Sequence, residues 1–316
     1  MKRHIVSSIL VTLLGLSAVL SPCVAEKAKA RSKKVSAKAP KSDSPALPSP
    51  VSFRGWDYLV LRLRQNGVTE QDLLTLYADP RMPIFTDVPF SVYPKEPSSI
   101  YATFNKPRFE EMGADFIQRN QDSFQAVERT LKVPPEVITA ILVIESQIGK
   151  NTGREIIAYR LSRLASANSP ENLANNYKLQ KKKYPKVTFE QIKRRGQYLE
   201  QTFLPEIPAL LTIAKKNQVN PLSITGSSAG AFGLPQFLPS AFMRYSMDGD
   251  KDGIVSLHNE QDALWSTANY LANFGFRANI PVQEKRSIIW RYNKSKAYID
   301  AVLKLSHGIK SRLSSS

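Results

Sequence analysis

The chain of 316 residues contains one cysteine, Cys23, and only three histidines, His4, His258 and His307. A lone cysteine excludes a disulfide framework and any cysteine-built metal knuckle. So few histidines exclude an HExxH zinc site, and a Ser-His-Asp hydrolase would have to use His258 or His307, neither of which has a GxSxG turn nearby. A glycine-rich phosphate loop is missing too, which removes nucleotide-driven chemistry. Strand signals are few, and neither an internal repeat nor a membrane-spanning run is found. What remains is a mainly α chain whose acid–base chemistry must come from carboxylates.

Acidic residues are themselves the minority, 27 Asp+Glu against 44 Lys+Arg, for a formal charge of +17. The first 25 residues, "MKRHIVSSILVTLLGLSAVLSPCVA", have a basic start, an apolar stretch and a small-residue end, the pattern of a signal peptide. Cleavage after Ala25 is expected; the rival reading is a lipoprotein signal, "LSPC", with Cys23 lipidated. Either places the protein in the periplasm or otherwise outside the cytoplasm. For an exported basic protein nucleic acid is a poor partner, and the anionic cell-envelope surface is the expected one. A monomer is expected.

Residues 26–50, "EKAKARSKKVSAKAPKSDSPALPSP", lack aromatic residues and are rich in Lys, Ala, Ser and Pro, so they cannot build a core and are expected to form a disordered basic tether. Residues 51–132 read as an N-terminal helical region, with one helix expected from about Phe109 to Lys132. Residues 133–316 read as the core that carries the chemistry, and its end, from "SLHNEQDALW" onward, reads as two closing helices.

That core opens with "VPPEVITAILVIESQIGK", Val133 to Lys150. Pro135 suits a first helical turn, where a missing N–H costs nothing. A helix starting there puts Ile138, Ile141 and Leu142 on the side of Glu145. Desolvation disfavours a charged carboxylate, so Glu145 is expected to keep its proton near neutral pH, as general-acid cleavage of a glycosidic bond requires. The plain alternative is a glutamate at a helix end, hydrogen-bonded to loop N–H groups.

Two further segments follow in order, "GSSAGAFGLPQFLPSAF" (Gly226 to Phe242) and "DGDKDGIVSLHNEQDALWSTANYLANFGF" (Asp248 to Phe276). Together with the Glu145 helix they resemble the B-type membrane-bound lytic murein transglycosylases, glycoside hydrolase family 103. The resemblance implies a lysozyme-like lytic transglycosylase fold with an additional N-terminal helical region, and peptidoglycan glycan strands as substrate. It implies Glu145 as sole catalytic acid/base. The loop "AGAFGLPQFLPS" places Ser227 and Gln236 at sugar-contacting positions, and the motifs "ANY" and "RYN" place Tyr270, Tyr292 and Asn293 along the glycan cleft. Tyr101 lies near the place of another cleft tyrosine. Read without the resemblance, Tyr270 and Tyr292 are core residues of amphipathic helices and Asn293 a cap. An arginine pair that the family carries around Ser169–Glu171 is missing here.

In the family one carboxylate suffices, because the substrate's N-acetyl group stabilises the developing cation and the sugar's own C6 hydroxyl closes a 1,6-anhydro ring on N-acetylmuramic acid. Two alternatives stay open: a lysozyme-like hydrolase at the same bond, and a non-catalytic peptidoglycan-binding protein. No cofactor is expected for the chemistry. "DGDKDG" does match the first half of an EF-hand loop over residues 248–259, with Asp248, Asp250 and Asp252, the Ile254 carbonyl and Asn259 as candidate ligands for structural Ca²⁺.

Overall fold

The computed structural model describes residues 53–94 and 97–315. The signal peptide and tether expected over residues 1–50, with Cys23, lie outside them. Thirteen α-helices carry most of the described residues: α1 (Asp57–Gln65), α2 (Glu70–Tyr77), α3 (Pro107–Arg119), α4 (Gln121–Leu131), α5 (Pro135–Ser146), α6 (Ile157–Ala165), α7 (Pro170–Lys183), α8 (Phe189–Phe203), α9 (Glu206–Lys216), α10 (Pro239–Tyr245), α11 (Glu260–Asn273), α12 (Val282–Tyr292) and α13 (Lys296–Ser315). The strands are two short ones, β1 (Glu155–Ile156) and β2 (Thr225–Gly226), paired antiparallel with Glu155 opposite Gly226. Among the described residues no helix is long and apolar enough to cross a membrane.

Helix α5 is the axle. Pro135 occupies its first turn, and every residue from Val137 to Ile144 is buried, so the helix is covered on all sides rather than on one stripe. Helices α3, α11 and α13 pack around it. Gly113 lets α13 close on α3, because a methyl group there would collide with the Ile309 side chain. One continuous apolar cluster runs from Phe53 to Ile309, so the first helices and the rest of the chain share a core. A separate small cluster, Leu173, Val187 and Ile192, supports the α7–α8 hairpin.

Two expected helices are each broken in two. The Phe109–Lys132 stretch bends at Asn120, which leaves the helical region and donates its side-chain amide to the Phe116 carbonyl, so α3 and α4 are distinct. The last expected helix is interrupted at Asn293, which is extended (φ −143°, ψ 120°). Ser295 restarts it, its hydroxyl accepting the Tyr298 amide. Asn120 at the first break and Ser295 just after the second are short polar side chains that satisfy backbone groups locally, which competes with continuing the helix.

Candidate active site

Glu145 occupies the last turn of α5, where the chain stops being helical in an unusual way. Gln147, Ile148 and Gly149 follow with φ of 52°, 54° and 82°. Two consecutive non-glycine residues in the left-handed region, one of them β-branched, are costly and persist only where surrounding contacts impose them. Ser146 supplies such contacts. Its hydroxyl donates to the Leu234 carbonyl at 2.8 Å and accepts the Gly149 amide at 2.9 Å, which ties the end of α5 to the Gly/Pro-rich loop.

The Glu145 side chain opens into a cleft of about 270 Å³. One wall is the end of α8 (Tyr198, Thr202, Phe203), a second is the loop from Ala229 to Ala241, and a third is Tyr270 with Arg291, Tyr292 and Lys294. Glu145 is the only carboxyl among these lining residues. Desolvation pushes its pKa up to about 8, and the hydrogen bond from Tyr298 opposes that rise. Tyr298 Oη donates to Glu145 Oε1 at 2.7 Å. Tyr298 is fully buried, and its ring stacks on Tyr292 at 6.4 Å and 9° and meets Tyr101 edge-on at 5.5 Å. Burial and then the charge of Glu145 hold the Tyr292 and Tyr298 phenols far above their ordinary value, so both stay protonated.

Of the sequence candidates, Gln236, Tyr270 and Tyr292 line the cleft with Glu145. Gln236 has φ of 51°, and its amide nitrogen donates to the Thr152 and Gly233 carbonyls. Tyr292 donates to the Pro235 carbonyl at 2.5 Å. Ser227, Asn293 and Tyr101 are not in the lining. Ser227 closes the loop turn, its hydroxyl accepting the Ala231 amide, while Asn293 and Tyr101 are buried behind the site with Asn293 Nδ2 3.5 Å from Tyr101 Oη. They support the lining. Sequence reasoning missed Tyr298, which lies six residues past Tyr292 beyond the helix break, and Tyr198, Thr202 and Phe203, which follow a lysine-rich stretch that masks their spacing.

A second carboxyl, Glu206, lies behind the loop. It accepts from both the amide and the hydroxyl of Ser240, capping α10 where that helix meets the cleft, and burial raises its pKa.

The acidic loop groups Asp248, Asp250 and Asp262, each offering an oxygen within 4.8 Å of the others. Asp248 Oδ1 is buried with no hydrogen-bond partner among the described residues, as a cation ligand would be. These residues fit a hard, oxygen-liganded ion. The group differs from the sequence expectation. Asp252 instead accepts the Ile254 amide. Asn259 caps α11 through the Gln261 and Asp262 amides and donates to Asp250. Asp262, three residues beyond Asn259, braces the loop by accepting the Gly249 and Ser256 amides.

The sequence profile described as transglycosylase SLT domain matches residues 63–288. The chain belongs to the SLT transglycosylase domain family. Membrane-bound lytic murein transglycosylase B of Escherichia coli (strain K12) is 28% identical over 187 residues, 58% of this chain and 44% of that protein. The chain therefore spans less than half the length of this relative. In fold it is similar to the soluble lytic transglycosylase SltB1 from Pseudomonas aeruginosa (TM-score 0.60, 22% identity, 83% of this chain and 99% of that one). It is also similar to the lytic transglycosylase Slt35 of Escherichia coli, solved in complex with calcium (TM-score 0.54, 20% identity, 82% of this chain and 84% of that one). Within this SLT-family chain the matched stretch takes in Glu145, the Gly/Pro-rich loop, the acidic loop and most of α12.

Proposed function

We propose that the protein is an exported lytic transglycosylase that cleaves the MurNAc–GlcNAc bond of peptidoglycan. The observation that carries this reading is Glu145: a carboxyl protonated near neutral pH, facing a cleft that no other carboxyl lines. Glycosidases that use water or a covalent intermediate need a second carboxyl beside the bond. Glu206 does not fill that place, because both its oxygens are engaged by Ser240.

In this mechanism Glu145 gives its proton to the glycosidic oxygen as the C1–O bond breaks. The N-acetyl carbonyl of the same sugar takes up the charge at C1. Glu145, now ionised, removes the proton of the C6 hydroxyl, whose oxygen bonds to C1 and closes the 1,6-anhydro ring. The glutamate ends as it began, protonated. Tyr298 fixes the carboxyl and steadies its ionised state, while Tyr270, Tyr292 and Gln236 form the sugar-facing walls.

Asp248, Asp250 and Asp262 would hold a calcium ion, as the likeness to a relative solved with calcium also supports. Bound there, the ion supplies a structural cross-link and no part of the reaction.

The test is Glu145→Gln on purified peptidoglycan. Cleavage falls by about 10²-fold or more, the ordinary contribution of a positioned acid. Wild-type products end in 1,6-anhydro-MurNAc and are lighter by one water than hydrolysis products. Reducing-end products would make the protein a hydrolase, and binding without cleavage by either form would make it a binding module.

A further inference from the structure

Seven lysines and arginines and one acid, Glu190, lie between Lys178 and Arg194 at the tip of the α7–α8 hairpin. All seven are exposed. Ion pairs such as Arg64–Glu70, Arg119–Glu260 and Arg286–Asp300 form elsewhere on the described surface, yet none of the eight among the described residues uses any of these seven. The one acid farther along α8, Glu200, is engaged instead by Arg62, Tyr58 and Asn168. Like charges held this close repel one another, and the hairpin tolerates the cost without internal neutralisation.

The tip is also rigidly held. Its own small core packs against the chain at Phe90, and Asn176 and Gln180 clamp that chain through the Val88 and Phe90 backbone. It is continuous with the cleft: Arg195 lies 5.2 Å over the Tyr198 ring, and Tyr198 lines the cleft. Arg194 and Tyr198 are one helical turn apart, about 6 Å along α8.

We infer that the α7–α8 tip is a cationic ridge that docks the carboxylate-bearing stem peptides of the glycan strand being cleaved. The inference rests on the function proposed above and assigns its substrate as peptide-bearing strands in preference to bare glycan. A lipid bilayer fits the ridge less well. The exposed large apolar side chains there are Leu179, Phe189 and Tyr93, and the two rings are engaged edge-on with Tyr177 and Tyr184, which leaves Leu179 alone to insert.

The experiment replaces Lys181, Lys182 and Lys183 together by Gln, and separately by Arg, in the full chain. Binding is read in a Glu145→Gln background, so that it does not depend on cleavage, on intact peptidoglycan and on the same material stripped of peptides by an amidase. Removing the three charges weakens binding to intact material by about tenfold at low ionic strength, an effect that shrinks with added salt, because charges at an interface rim act through screened, long-range attraction. Binding to stripped glycan is unchanged, and the Arg triple behaves as the parent. Equal binding of parent and Gln triple to intact material, or equal losses on both materials, overturns the ridge. So does a loss confined to vesicles of phosphatidylglycerol. Failure of the Glu145-intact protein to cut any material overturns the proposed reaction and leaves the binding comparison readable.

Discussion

Tyr298 Oη lies 2.7 Å from Glu145 Oε1, and the two residues are joined across 153 positions of sequence by this one bond. The phenol is fully buried, so it has no water to substitute for the carboxyl. It favours the ionised state of Glu145 and thereby limits a rise in pKa that burial alone would carry further. The site thus holds an acid strong enough to donate and a conjugate base stable enough to form.

Replacing Tyr298 by Phe keeps the stacked ring and removes the bond. The rate is expected to fall about tenfold, since a hydrogen bond to a charged group contributes about 1.5 kcal/mol or more. The Glu145 pKa then moves further up, and the alkaline limb of the kcat profile moves to higher pH. Measuring that profile for wild type and variant decides the matter: a lower rate with an unshifted limb would reduce Tyr298 to a packing role.

Linkage gives a second expectation. The Glu145 pKa rises from 4.5 to about 8 on folding. The unfolded chain loses this proton as pH passes 4.5, whereas the folded chain keeps it until about 8. The contribution to stability is therefore full below 4.5, declines through the window between the two values, and levels off above it. Glu145→Gln has no such decline. Its melting temperature should gain on wild type as pH is raised across that window, and a constant difference between the two would show that Glu145 ionises normally.

Part of this site was legible in the sequence because its signal was local. Glu145 follows an unbroken apolar run, Gln236 sits in a Gly/Pro-rich loop, and Tyr270 and Tyr292 fall within short motifs. Tyr298 and the α8 wall were not legible, because their role depends on two events that spacing does not encode. One is the break at Asn293, which lays Tyr298 against Tyr292 instead of a turn and a half farther along a helix. The other is the packing of the α7–α8 hairpin, whose lysine-rich tip reads as a plain solvated helix. Burial of α5 on every side was likewise hidden, since an apolar run does not state how many neighbours cover it.

The Gly/Pro-rich loop folds back closely on its own backbone between Gly226 and Ala231, which predicts a sharp steric contrast. A Cβ at Gly226 would collide with the Ala231 carbonyl, a backbone atom that cannot swing away. At Gly308 it would meet only the flexible Glu110 side chain. Gly226→Ala should cost about 1–3 kcal/mol, the usual penalty of overpacking, and lower activity by shifting the Ala229–Ala241 wall. Gly308→Ala should leave activity alone and melt close to wild type. Comparable melting losses in both variants would remove the backbone argument.

The acidic loop offers the last expectation. Asp248, Asp250 and Asp262 place three carboxylates within 4.8 Å, and the buried Asp248 Oδ1 has no partner among the described residues. A bound cation relieves both the repulsion and the unsatisfied oxygen, and it stabilises the native state by mass action. Calcium should therefore raise the melting temperature, with a weak affinity because the bidentate glutamate of an EF-hand is replaced. Asp250→Ala should abolish the response and keep the fold, since Asp250 is exposed and its bonds to Asp252 and Asn259 are local. Asp252→Ala should keep most of the response, because Asp252 stands outside the cluster. A response lost with Asp252 as well as with Asp250 would restore the ligand set that the EF-hand spacing alone predicts. A melting curve indifferent to calcium and to EDTA would leave the loop as a turn braced by Asp262.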